Sequence, residues 1–392
     1  MLVFVGFVLM VLLVIVHEAG HYIAAKRNGI EVEEFGIGFP PKAKSLGKRK
    51  GTEFTLNWLP LGGFVKLKGE HDSDKAKGSF GAAPLMAKVK VMVAGVIMNL
   101  VTAFILFTII ALIGMPQLMD NQFTVQSQET VVREDVLLGV IDGSPAMRAG
   151  LEDNDILRSI TEIDCSDECI DYDLINNRDI VQEATPLLAG KTAEVMYERG
   201  RTVQTVQITL NTDEQIAESY RVHDACVAEG TSPEDCPPHQ SYLGVVPSDF
   251  VQKRYSAWAA PIVAAGTTAQ FTQATLSGFG SIITGLAQGD TDKATEQVSG
   301  VVGVGFIFDA ASFLGPVFML MIVAVISLSL AIMNVLPIPA LDGGRLFVTL
   351  FYRLINKPLT KDAEEAIHGT GFVVLMVLFV LITIVDVQRF IF

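Results

Sequence analysis

The chain has 392 residues, half of them apolar and 18% charged, with a mean hydropathy of +0.42. This is too apolar for an ordinary soluble enzyme, and Gly 34, Pro 16 and Cys 4 also exclude a collagen, a disordered chain and a small disulfide scaffold. The net charge of −14 is unevenly placed: Lys26 to Lys90 holds thirteen Lys/Arg against seven Asp/Glu, whereas Met115 to Ala260 holds ten against twenty-six. The positive-inside rule puts the first stretch in the cytoplasm and the second outside. Nucleic acid is excluded as a partner, because phosphate binding needs a basic patch and the basic residues here flank apolar spans.

In chain order, residues 1 to 16 carry no charge and the apolar run continues through a short polar interruption to Ala25. At about 1.5 Å per residue it is long enough to cross a bilayer. No basic region precedes it and no small-residue cleavage site follows, which argues against a secretory signal peptide. The interruption is His17-Glu18-Ala19-Gly20-His21. A spacing of four residues sets both imidazoles on one helix face, where they can share one Zn²⁺, and Glu18 beside them can take a proton from the attacking water. Ionisable groups inside an apolar span are costly and mark function by default.

Val91 to Met119 is uncharged for 29 residues and follows Lys88 and Lys90, so it runs from inside to outside. Gly139 to Ile160 reads as strand, turn, short helix, turn, strand, and the alternating VQTVQITL of Val203 to Leu210 reads as a half-buried strand of the same sheet. Residues 211 to 241 look inserted, polar and turn-rich. The external cysteines pair most simply as Cys226 with Cys236 and Cys165 with Cys169, although four cysteines allow three connectivities. Tyr255 to Gly289 is uncharged for 35 residues but rich in Thr, Gly, Ser and Gln, and reads as helices lying along the outer membrane surface. Ala310 to Leu341, uncharged for 32 residues, leads back in, and Gly369 to Val385 leaves again, giving four crossings with both termini outside.

Two histidines leave a metal short of a protein ligand, and Asp342 in Asn334-Val-Leu-Pro-Ile-Pro-Ala-Leu-Asp342-Gly-Gly is the candidate third. Pro337 and Pro339 end regular helix there, and the two glycines allow a close turn. His17 and His21 lie near the inner end of the first span and Asp342 near the far end of the third. They meet only if those spans run parallel, which one intervening crossing provides and two would not.

Five blocks in this order resemble the site-2 protease family of intramembrane zinc metalloproteases, in its bacterial PDZ-containing branch, that of the regulator of sigma-E protease. They are HEAGH at 17–21, FGIGFPPK at 35–42, LPLGGFVKLKGE at 59–70, AKVKVMVAGVIMNLVTAF at 87–104 and NVLPIPALDGG at 334–344. GSPAMRAGLEDNDIL has PDZ phrasing, and one such module here departs from branch members that have two. The resemblance implies His17, His21 and Asp342 as ligands of one Zn²⁺ and Glu18 as general base. It implies Asn334, Pro337 and Pro339 as supports for an extended substrate backbone, and Gly62, Gly63, Phe64 and Val65 as a membrane-reentrant loop offering an edge to the substrate.

The reading is thus a polytopic α-helical membrane protein of about four transmembrane helices with an inserted external PDZ domain of α+β type. Its segments are a first span at 1–27, a cytoplasmic and reentrant region at 28–86, a second span at 87–119, the PDZ domain at 120–212 and a Cys-containing insertion at 213–250. A membrane-apposed region at 251–309 follows, then a third span at 310–345, a cytoplasmic loop at 346–368 and a fourth span at 369–392. The expected activity is hydrolysis of peptide bonds in or near transmembrane segments of single-pass membrane proteins, in the bacterial inner membrane, with the PDZ domain outside. The bilayer and an upstream site-1-type protease are the expected partners. The alternative is an inactive PDZ-bearing scaffold or chaperone with a structural metal; a transporter would need further intramembrane ligands, and the other spans hold almost none.

Overall fold

The computed structural model describes residues 2–119, 121–163, 169–172, 175–200, 202–288 and 300–390. The chain divides into two compact units, one of Met1–Leu112, Gln122–Val125 and Ser256–Phe392, the other of Ile113–Asn121 and Gln126–Tyr255.

Among the described residues, the first unit holds four helices long and apolar enough to cross a membrane: Phe4–Arg27, Leu85–Ile113, Pro316–Val335 and Lys361–Gln388. The first belongs to α1 (Leu2–Arg27) and the second is α2 (Leu85–Ile113). Small residues let them close up. A β-carbon on Gly20 would lie 2.5 Å from the Ala94 carbonyl oxygen, so only glycine permits this approach, the usual device where helices cross in an apolar medium.

Between α1 and α2 run β1 (Val32–Arg49) and β2 (Thr52–Leu67). Their register folds back on itself: Phe35 faces both Val65 and Phe54, and Gly36 faces both Phe64 and Thr55, while Lys44 and Ser45 face Leu56 and Thr55. The segment around residues 34–37 is therefore central, and the segment around residues 63–66 forms one margin of a small antiparallel sheet. Ala25, Ile30, Val32, Leu67, Phe80, Val91 and Met92 form the core that joins this sheet to the ends of α1 and α2.

In the second unit the sheet comprises β3 (Met115–Pro116), β4 (Glu129–Val140), β5 (Ile156–Glu162), β6 (Asp171–Tyr172), β7 (Thr192–Arg199), β8 (Thr202–Thr209) and β9 (Val245–Tyr255). Their order is β3-β9-β4-β5-β7-β8, with β6 on β5. Helices α3 (Pro145–Arg148), α4 (Arg178–Leu187) and α5 (Asp213–Ala228) accompany it. Val136, Leu138, Leu157, Ile160, Val195 and Ile208 are buried in its core. Asp155 is buried and receives two bonds from Arg199, Nε to Oδ1 at 2.8 Å and Nη2 to Oδ2 at 2.7 Å. Cys226 and Cys236 form a disulfide; the other expected pair includes Cys165, outside the described residues.

Three expected boundaries move. The β-rich module does not end at residue 212, nor does a membrane-apposed region begin at 251, because β9 runs to Tyr255 and pairs with β4 along its whole length. Pro247, Asp249 and the charged pair Lys253-Arg254 hide that strand in the sequence. The third span does not start at 310 either. Gly315, at φ +102°, separates α7 (Val301–Leu314) from α8 (Pro316–Val335), since neither the left-handed backbone nor the proline continues a helix. The 35-residue polar-apolar stretch yields one helix, α6 (Ala260–Gln288), which is not among the four candidate spans. It packs through Val263, Ala264 and Thr267, and Phe271 stacks on Phe107 of α2.

Candidate metal centre and active site

His17 and His21 sit one turn apart in α1, both buried. Asp342 reaches them from α9 (Asp342–Leu354), which starts after the chain breaks out of α8 at Leu336. The break has to be tight. β-Carbons at Gly343 and Gly344 would lie 2.3 Å from the Val335 carbonyl oxygen and 2.0 Å from that of Ile338, so only glycines let α9 turn back beside the end of α8. Pro339 packs on Gly371 of α10 (Lys361–Phe390), which braces the turn from the other side.

The ligand atoms converge. His17 Nε2 lies 3.0 Å from Asp342 Oδ2, His21 Nε2 lies 3.1 Å from the same oxygen, and the two Nε2 atoms are 3.1 Å apart. The His21 Nδ1–H donates to the Val91 carbonyl at 2.8 Å, which leaves Nε2 as a bare lone pair. Lone pairs and a carboxylate crowded this closely repel one another without a cation. A tetrahedral zinc with bonds of about 2.0–2.1 Å would have its ligand atoms about 3.3 Å apart, close to this triangle. The three residues are the only His/Cys/Asp/Glu group among the described residues with metal-holding geometry.

α2 shapes the other side. A β-carbon at Gly95 would lie 2.5 Å from His21 Nε2 and 2.6 Å from His17 Cε1, so the glycine is what gives the imidazoles room. Asn99, one turn on and buried, approaches His17 Nδ1 at 3.4 Å. Val91, Gly95 and Asn99 follow one another at intervals of four and form one stripe of α2 facing the two histidines. Sequence reasoning assigned none of the three a role, although their spacing within the 87–104 block was the available signal.

A cavity of about 460 Å³ opens on this cluster. Glu18, Gly63, Phe64, Val65, Asn99 and Asn334 are in its wall, as are His17, His21 and Asp342. The margin segment of the small sheet passes against Glu18, a β-carbon at Gly63 falling 3.5 Å from Glu18 Cγ. Asn334 donates to the Leu330 carbonyl at 2.9 Å. Gly62, at φ +85°, packs on the Phe39 ring, and neither it nor Pro337 nor Pro339 is part of the wall.

The sequence pattern of peptidase family M50 matches residues 5–378. A protein of Clostridium perfringens named "Putative zinc metalloprotease CPE1693" is 33% identical over 96% of this chain and 95% of its own. One of Campylobacter jejuni named in the same terms is 27% identical over 97% of this chain and 91% of its own. The zinc metalloprotease RasP of Shouchella clausii is 24% identical, covering 96% of both chains.

Proposed function

The chain belongs to peptidase family M50, and on that premise we propose that it is a zinc endopeptidase cutting within or near the transmembrane segments of single-pass membrane proteins. The observation that carries this reading is the convergence of His17, His21 and Asp342 beside Glu18, between helices long and apolar enough to cross a membrane. His17, His21 and Asp342 would hold the ion. Zinc bound there supplies Lewis acidity, which polarises a carbonyl and makes water acidic enough to attack near neutral pH.

The remaining work falls to side chains. Glu18 takes the proton of the attacking water and returns it to the leaving amine, so that the amine departs neutral. A transmembrane helix hides its carbonyls in its own hydrogen bonds and must be locally unwound before it can be cut. The margin around residues 63–66 supports strand addition beside Glu18, and Asn334 in the cavity wall can hold a freed backbone group. Pro337 and Pro339 act indirectly in this reading, by shaping the turn that delivers Asp342.

The second unit is read as a PDZ-like filter on the outer side of a bacterial inner membrane. Such a module can capture an extended strand or exclude bulk, and β9 favours exclusion. Gly244 and Val245 both donate their backbone N–H to Ser241 Oγ, at 3.1 and 3.2 Å, and the Ser241 hydroxyl reaches the Val245 carbonyl at 3.2 Å. Gln117 N–H donates to the Val251 carbonyl, so by alternation Val245, Pro247 and Asp249 turn their backbone toward that same margin. Pro247 has no N–H to offer, and the groups of Val245 are already engaged. Substrates shortened outside by another protease would pass such a filter.

The test is reconstitution in liposomes with a tagged single-pass substrate, mapping fragments by mass spectrometry before and after chelation and zinc repletion. Cuts in or beside the apolar segment that vanish on chelation and return with zinc support the reading. Cuts that persist without metal, or fall only in distant soluble regions, contradict it.

A further inference from the structure

We propose that Asn99 is a positioning residue for His17: its carboxamide oxygen accepts from the Nδ1–H of that imidazole and thereby directs Nε2 at the metal. The inference rests on the proposed zinc site and goes beyond it, because it assigns a hydrogen-bonding role to a residue that touches neither metal nor substrate backbone in that scheme.

Three observations carry it, together with the chemistry of the two groups. Asn99 is 1% exposed, so its amide has no bulk water to turn to. One amide atom lies 3.4 Å from His17 Nδ1, while the other has no hydrogen-bond partner among the described residues. A half-turn of the carboxamide exchanges oxygen and nitrogen without moving either position, so partner chemistry assigns them. Either orientation leaves one amide atom unpartnered, and the contact with His17 therefore decides. A neutral imidazole that gives Nε2 to a metal carries its proton on Nδ1, and an N–H facing an NH₂ is donor against donor, whereas an N–H facing oxygen is a hydrogen bond.

The neighbouring ligand supplies the parallel. The His21 Nδ1–H is already fixed by the Val91 carbonyl, eight residues before Asn99 on the same stripe of α2. That stripe thus holds both imidazoles, one by backbone and one by side chain, with Gly95 between them giving clearance. Asn99 is itself anchored, because the Ser327 hydroxyl of α8 donates to its backbone carbonyl at 2.9 Å. Losing the amide would free the ring of His17 to rotate and to change tautomer, with Asp342 and His21 left in place.

The experiment measures the zinc dissociation constant of the full chain in nanodiscs by chelator competition, together with the absorption bands of the cobalt-substituted protein. Wild type, Asn99→Leu, Asn99→Asp and His17→Ala are compared. Asn99→Leu should weaken zinc binding roughly 10- to 100-fold and alter the cobalt bands, while the unfolding midpoint of the metal-free protein stays near the wild-type value. Asn99→Asp can only accept a hydrogen bond, and it should keep both affinity and spectrum. Wild-type affinity and spectrum in Asn99→Leu would overturn the proposal, as would loss of zinc by a folded Asn99→Asp. Should Asn99→Leu fail to fold, Asn99→Asp alone decides. Wild type that binds zinc no better than His17→Ala would overturn the zinc site and this inference together; a wild type that binds while Asn99→Leu is unchanged overturns the inference alone.

Discussion

Gly95 of α2 stands against His21 of α1 so closely that a β-carbon would lie 2.5 Å from the imidazole Nε2. The contact is at the ligand atom itself, so helix packing and metal chemistry are the same problem at this point.

Gly95→Ala should therefore act on the metal more than on the fold. Overpacking of this kind costs about 1–3 kcal/mol, and here the strain falls on two proposed ligands. Zinc affinity should drop roughly ten-fold or more, read by chelator competition, with helix content by circular dichroism unchanged. Unaltered affinity would show that α2 yields easily and does not define the site.

Asp342→Ala removes the only proposed ligand that comes from outside α1. Two imidazoles four residues apart hold zinc weakly, so stoichiometry in the purified protein should fall from about one ion per chain to nearly none. Elemental analysis after dialysis against micromolar zinc measures this. A full complement in the variant would place the metal elsewhere.

Arg199→Met tests the second unit. Asp155 is buried, and Arg199 supplies two of its hydrogen bonds and also reaches Glu152 at 2.8 Å. Asp155 raises the Arg199 pKa, its hydrogen bond being the largest contribution to that shift. Removing the guanidinium leaves a buried carboxylate uncompensated and should destabilise this unit by about 2–4 kcal/mol, less than for a wholly enclosed pair because Arg199 is a quarter exposed. Limited proteolysis of the full chain should then cut first within 126–255. An unchanged pattern would mean that Asp155 finds other partners.

How much of this the sequence disclosed varies with the kind of signal. The two histidines were legible because a spacing of four fixes one helix face whatever the tertiary structure. Charges and lengths alone did not fix the approach of Asp342: the uncharged stretch at 255–289 could count as a further crossing, and the requirement that Asp342 meet the histidines weighed against it. Strand β8 was legible from its strict alternation, whereas β9 was not, since Pro247 and several charged residues break the pattern in a strand whose pairing with β4 is nonlocal. The break at Gly315 was hidden because an uncharged run looks continuous to composition. Gly95 and Asn99 were only half legible: their spacing of four puts them on one face of an apolar helix, but it does not say which helix that face meets.

The most direct measurement compares wild type with Glu18→Gln in liposomes, quantifying bound zinc and cleavage of the same tagged single-pass substrate. Glu18 as the proton carrier predicts that the variant keeps about one zinc per chain and loses cleavage by three or more orders of magnitude, since acid–base catalysis contributes about 10²–10⁴-fold and the carboxylate serves twice. A variant that retains zinc and cleaves at the wild-type rate would contradict the account.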